Sequence, residues 1–132
     1  MDAVVDSSGN ITSIAAAVLV GSKIIAGTAT FDSNGIPTAF PTAATLSMVA
    51  IGRGGFSNSL IAAQTLGQIN LGAVTTDNFG KPFGLAAHQI TSLMAIPGGK
   101  RLTLRKVTSQ AQVTLAVVKA DITLNNLVIR IV

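Results

Sequence analysis

Cysteine, tryptophan and tyrosine are absent from this sequence, and so is glutamate, because all five acidic residues are aspartates. The absence of cysteine excludes disulfide bonds and thiolate metal sites. The absence of glutamate, together with thirteen glycines, disfavours long helices, whose exposed positions usually carry glutamate, lysine or arginine. The abundant valine, isoleucine and threonine favour strands. The composition therefore predicts an all-β protein.

Charge is scarce as well. Charged residues make up 11% of the chain and hydrophobic residues 48%, whereas about a quarter of a typical globular protein is charged. A surface with so few charges is either covered by partners or built from small uncharged side chains.

The length predicts one domain, residues 1–132. The longest apolar run, Ile14 to Val20, is too short to span a membrane, and Met1-Asp2 does not begin a signal peptide.

A short apolar pattern recurs along the chain. It consists of isoleucine or leucine, two residues, an aliphatic residue, one residue and another apolar residue, and its four copies begin at Ile11, Leu46, Leu66 and Ile90. The second and third copies are 20 residues apart, which is the length of one solenoid rung. Longer gaps contain turn-rich excursions at 28–45 and 75–82. The pattern predicts a parallel β-helix of about four rungs over residues 9–104, with an antiparallel β-sandwich or jelly roll as the alternative.

The last part of the chain, residues 105–132, differs from the rungs. Polar and apolar residues alternate in 107–118 and again in 121–132. Alternation of this kind predicts half-buried strands. We therefore expect a C-terminal β cap or hairpin that covers one end of the solenoid and protects its strand edges.

Three stretches resemble the parallel β-helix repeats of large extracellular proteins of planctomycete-like bacteria. They are ITSIAAAVLVGSKIIAG, the segment from GGFSNSL to HQITSL, and the ending NNLVIRIV. The resemblance covers about residues 9–104 and is most specific from Phe56 to Leu93. It implies a secreted or cell-surface protein with a structural or adhesive role, whose signal lies outside this sequence. It supplies no catalytic residues.

No residue pattern predicts an enzyme or a cofactor. The aspartates, at positions 2, 6, 32, 77 and 121, are scattered, and general acid–base catalysis needs two positioned titratable groups. His88 is the only histidine and cannot build a metal site without further ligands. Two loops resemble calcium loops through Asp32, Asn34 and Asp77, but turn formation by aspartate, asparagine and glycine is the preferred explanation.

Four of the nine basic residues lie within seven positions, at Lys100, Arg101, Arg105 and Lys106. This basic patch and the net charge of +4 raise the question of a polyanionic partner. Nucleic acid is disfavoured because no aromatic residues are interleaved to stack on bases. A solvated strand face, an acidic polysaccharide or a neighbouring subunit explains the patch better.

The favoured function is a structural subunit that assembles with copies of itself into an extracellular filament, sheath or surface layer. Few charges protect the strand edges, which template further pairing. The alternatives are an adhesive, carbohydrate-contacting module that uses the loops at 28–45 and 75–82, and a small basic viral coat or fibre protein. The residues expected to contact other copies are aromatic residues of the long excursion and aliphatic residues near the C-terminus: Phe31, Phe40, Leu127, Ile129 and Ile131.

Overall fold

The structure is a computed structural model that describes residues 4–132, and it consists mostly of β-strands. The elements, in chain order, are β1 (Val4–Ser7), β2 (Ile11–Val20), β3 (Lys23–Ala26), β4 (Thr28–Phe31), β5 (Pro37–Thr42), β6 (Thr45–Ser57), β7 (Leu60–Ala62), β8 (Thr65–Val74), β9 (Phe83–Ala87), β10 (Gln89–Pro97), β11 (Leu102–Val107), α1 (Gln110–Lys119) and β12 (Leu127–Ile131).

Two five-stranded sheets form the body of the protein. Sheet 1 has the strand order β1-β3-β7-β9-β12, and sheet 2 has the order β2-β6-β8-β10-β11. The pairings within them are parallel except for β10 with β11. The chain passes back and forth between the two sheets through short corners such as Gly21-Ser22, where glycine adopts a φ of 62°.

The recurring apolar pattern pairs in register in sheet 2. Ile11 is opposite Leu46, Leu46 opposite Leu66, and Leu66 opposite Ile90. The aliphatic residues three positions later form a second row, and both rows point into the main core. The members of that second row are Ile14, Val49, Ile69 and Leu93.

Sheet 1 closes the other side of the core. Its inner face carries a row in which Ile24 pairs with Ile61, Ile61 with Leu85, and Leu85 with Ile129. All four side chains are buried in the main core. The outer face of sheet 1 is also apolar, because a two-stranded antiparallel hairpin, β4–β5, folds over it.

The prediction of a parallel β-helix is wrong. The strands divide among three separate sheets, parallel and antiparallel pairs are mixed, and the sheets do not close into solenoid coils. An antiparallel sandwich or jelly roll does not describe the fold either, since seven strand pairings are parallel and two antiparallel among residues 4–132. The apolar pattern identified neighbouring strands, but the way the sheets join depends on corners and on the hairpin excursion.

The predicted C-terminal hairpin is also wrong. Residues Gln110–Lys119 form helix α1, and β12 joins sheet 1 in parallel beside β9. Ser109 caps the helix: its hydroxyl accepts a hydrogen bond from the backbone N–H of Gln112, whose side chain in turn accepts one from the backbone N–H of Ser109. This reciprocal capping box satisfies two N–H groups that a helix start otherwise leaves unpaired. Val113 is buried against the main core.

Candidate functional site

The strands at one end of the molecule present open edges. Strand β2 is the last strand of sheet 2, and β1 is the last strand of sheet 1 beside β3. Natural proteins usually protect such edges with lysine, proline, short strands or bulges. Strand β2 has ten residues and contains no charged residue and no proline. The pairing of β2 with β6 is irregular at one place. Ala16 is opposite Ile51 and Val18 is opposite Gly55, so the extra residues of this irregularity belong to β6 and not to β2.

The core is incompletely covered at this end. Ile11, Ile14 and Ala16 belong to inward-facing rows of sheet 2, yet all three are only partly buried. Their register partners in β6, such as Leu46 and Val49, are 0% and 1% exposed. The difference arises because β6 is flanked by a strand on either side, whereas β2 has one neighbour among the strands of residues 4–132. We call the outward edges of β1 and β2 the open end.

The opposite end of the molecule is closed. The amide of Gln110 in α1 donates to the carbonyl oxygen of Ile129 at 3.0 Å and accepts from the backbone N–H of Ile131 at 2.9 Å. The Gln110 side chain thus forms hydrogen bonds with the backbone of β12 in the way that a neighbouring strand would. On sheet 2 the end strand β11 contains the cations Arg105 and Lys106, which belong to the charged groups that discourage edge pairing.

The four residues of the predicted basic patch have different surroundings. Lys100 donates to the carboxylate of Asp121 at 3.2 Å and to its backbone carbonyl oxygen at 2.7 Å. Arg101 and Arg105 line a shallow depression of about 490 Å³ on the outer face of sheet 2. Lys106 is exposed and has a φ of 51° at the end of β11.

The two aspartates among the calcium candidates accept hydrogen bonds from other groups of the chain. Arg130 donates to one carboxylate oxygen of Asp32 at 2.8 Å, and the backbone N–H groups of Asn34 and Ile36 donate to the other. The guanidinium hydrogen bond holds the pKa of Asp32 below its usual value, and the backbone donors act in the same direction. Hydrogen-bond donors therefore already occupy both carboxylate oxygens. Asp77 accepts from the backbone N–H of Phe79 in a turn.

The predicted contact residues divide between core and surface. Leu127 and Ile129 are buried in the chain's own core, so their side chains are unavailable to another copy. Ile131 is partly buried against the same core. Phe40 packs on the outer face of sheet 1, whereas Phe31 is 44% exposed at the end of β4.

The histidine and the aspartates of residues 4–132 lie apart from one another as potential metal ligands. No group of three or more histidine, cysteine, aspartate or glutamate side chains comes together in that range. Nδ1 of His88 lies 2.8 Å from the carbonyl oxygen of Val132. Asp2 lies outside the described residues. In the described part of the chain, no helix is both long and apolar enough to span a membrane.

Sequence reasoning missed three features of this arrangement. The capping box Ser109-x-x-Gln112 was a readable signal for the helix. The edge-covering role of Gln110 and the pairing of Asp32 with Arg130 depend on the tertiary fold and have no local signal.

Comparison with protein family models found no match, and neither the curated proteins nor the solved structures gave a significant match. The resemblance to bacterial surface repeats therefore stays a prediction.

Proposed function

We propose that this protein is a non-enzymatic structural subunit that associates with a second copy of itself through the open end. The observation that carries the proposal is strand β2, a ten-residue edge with neither charge nor proline. Backbone groups of residues 11–17 along this edge gain hydrogen bonds when another strand is added. The extracellular or cell-surface setting expected from the sequence belongs to the same proposal.

The difference between the two ends selects the geometry of the association. A contact between unlike ends would propagate into a filament, but Gln110 already occupies backbone groups of β12 at the closed end. A contact between two open ends is the same surface on both subunits and closes after two copies. In this arrangement β2 pairs antiparallel with β2 of the second copy about a two-fold axis. Any filament or layer would then be built from such pairs through a further contact.

The association also covers the partly buried core residues. Ile11, Ile14 and Ala16 would meet the same residues of the second copy, as their counterparts in β6 meet the flanking strands. Removal of apolar surface from water contributes about 25 cal/mol per Å². A strand from a different protein would satisfy the backbone equally well, but would leave the purified protein monomeric.

Lysines placed on the exposed face of the edge strand test the proposal. We expect Ser13→Lys with Ala15→Lys to convert a pair of chains into single chains, because like charges would meet across the two-fold axis. The measurement is sedimentation velocity over a range of protein concentrations.

The matched control is Ala50→Lys with Gln68→Lys. These residues are exposed in the same two rows of sheet 2 but lie on the interior strands β6 and β8. The control adds the same charge and should remain paired. A wild-type protein that sediments as one chain at every concentration would refute the proposal, as would equal dissociation of the edge variant and the control.

A further inference from the structure

A groove lined by both polar and apolar residues runs along the corners that enter sheet 1. Its volume is about 570 Å³, within the range of small-molecule binding sites. One wall is the tip of the β4–β5 hairpin, which contributes Ser33 and Asn34. The floor and the other wall come from three successive corners that contribute Lys23, Asn58 and Lys81. The two predicted loop excursions thus supply residues to one site.

Backbone hydrogen bonds hold the corners in place. The carbonyl oxygen of Ser22 accepts from the N–H of Leu60, and that of Ser59 accepts from the N–H of Gly84, each at 2.9 Å. The hydroxyl of Ser59 accepts from the N–H of Ser22 at 3.0 Å. These bonds connect each corner to the next, so the floor of the groove exists before any ligand binds. Pre-formed sites lose less conformational entropy when a ligand binds.

The hairpin wall is anchored to sheet 1 as well. Ile36 and Phe40 pack against Ile25, Leu60 and other apolar residues on the outer face of the sheet. The ion pair of Asp32 with Arg130 fastens the start of the hairpin turn to β12. Both walls of the groove therefore belong to the folded body.

The groove is positively charged. Lys23 and Lys81 are both exposed, and within residues 4–132 neither forms an ion pair. Asp32 is the nearest acidic residue along the hairpin, and its carboxylate is occupied by Arg130. The corner of Asn58 lies between those of the two lysines, which places the lysine corners roughly 10 Å apart at the usual strand spacing. The charges suit a ligand that carries several anionic groups along its length.

We propose that this groove binds an acidic polysaccharide. The ammonium groups of Lys23 and Lys81 would pair with carboxylate or sulfate groups of successive sugars. Hydroxyl and amide groups of Ser33, Asn34 and Asn58 would exchange hydrogen bonds with the sugar hydroxyls. Nucleic acid fits less well, because Phe83, the one aromatic ring that lines the groove, is buried and offers no face to a base. This inference is independent of the association through the open end.

Binding of defined polymers tests the inference. Titration calorimetry would compare polygalacturonate, heparin, neutral dextran and single-stranded DNA at low and at high salt. We expect binding to polygalacturonate or heparin that weakens with salt, and no binding to dextran. The variant Lys23→Gln with Lys81→Gln should lose about tenfold in affinity, as expected for two solvent-exposed charge contacts.

The control Arg101→Gln with Arg105→Gln removes the same charge from the depression on sheet 2. It should bind acidic polysaccharide as the wild type does. Equal loss in both variants would show a general charge effect and overturn the site. Absence of binding to either acidic polysaccharide, or tighter binding of DNA than of both, would overturn the ligand class. The edge variant Ser13→Lys with Ala15→Lys should keep its polysaccharide affinity, which separates this test from that of the association.

Discussion

At the scale of single residues, one ion pair connects distant parts of the chain. Arg130 and Asp32 are 98 positions apart, and their side chains are 32% and 25% exposed. Nothing local to either residue predicts the other as its partner. The sequence instead suggested Asp32 as a calcium ligand, because an aspartate followed by asparagine and glycine is typical of both turns and cation loops. Only the tertiary fold distinguishes these roles.

The ion pair makes the stability of the protein depend on pH. The pKa of Asp32 is lowered in the folded state. Its contribution to the free energy of unfolding is therefore present above the unfolded pKa of 3.8 and is lost as pH falls through the lower folded pKa. We expect Asp32→Asn to reduce the urea midpoint of unfolding at pH 7, and the difference from wild type to shrink towards pH 2.

Asp121→Asn serves as the control, since Asp121 is 97% exposed in its ion pair with Lys100. This substitution should leave the midpoint nearly unchanged at pH 7, because exposed ion pairs contribute little. A constant effect of Asp32→Asn from pH 7 to pH 2 would contradict the role of its ionised form.

At the scale of elements, the sequence pattern identified strands of sheet 2 but did not identify helix α1. The positions of Ile11, Leu46, Leu66 and Ile90 identified register partners, because aliphatic side chains that share a core recur at equivalent places in paired strands. The stretch 107–118 also alternates, yet residues 110–119 are helical. Short alternating segments do not distinguish strand from helix, and the capping box was the deciding local signal.

Removal of Gln110 tests how α1 closes sheet 1. Gln110→Ala eliminates the side-chain bonds to Ile129 and Ile131, and we expect a loss of about 1–2 kcal/mol in the free energy of unfolding. The amide hydrogen of Ile131 should also exchange faster with deuterium.

Gln112→Ala is the matched control for this prediction. It removes the Gln112 half of the capping box, at a cost of about 1 kcal/mol, but leaves the bonds to β12 intact. Exchange at Ile131 should therefore remain slow in this variant. If Ile131 exchanges equally fast in the Gln110 and Gln112 variants, the protection comes from the helix as a whole and not from the Gln110 amide.

At the scale of the whole molecule, the fold class was not predictable from the repeat. In-register pairing specifies which strands are neighbours, whereas the relation between sheets is set by corners, by the β4–β5 hairpin and by the antiparallel strand β11. The candidate functional features follow from the same architecture. Helix α1 and strand β11 close one end of the two sheets, and the open end is the end that they do not cover. The groove forms because the β4–β5 hairpin lies beside the successive corners that enter sheet 1.

Hydrogen–deuterium exchange as a function of protein concentration tests the association most directly. If two copies pair through β2, amide exchange within residues 11–17 slows as concentration rises, while exchange in the interior strand β8 stays the same. Exchange in β2 that remains fast and independent of concentration, up to the limit of solubility, would contradict the account.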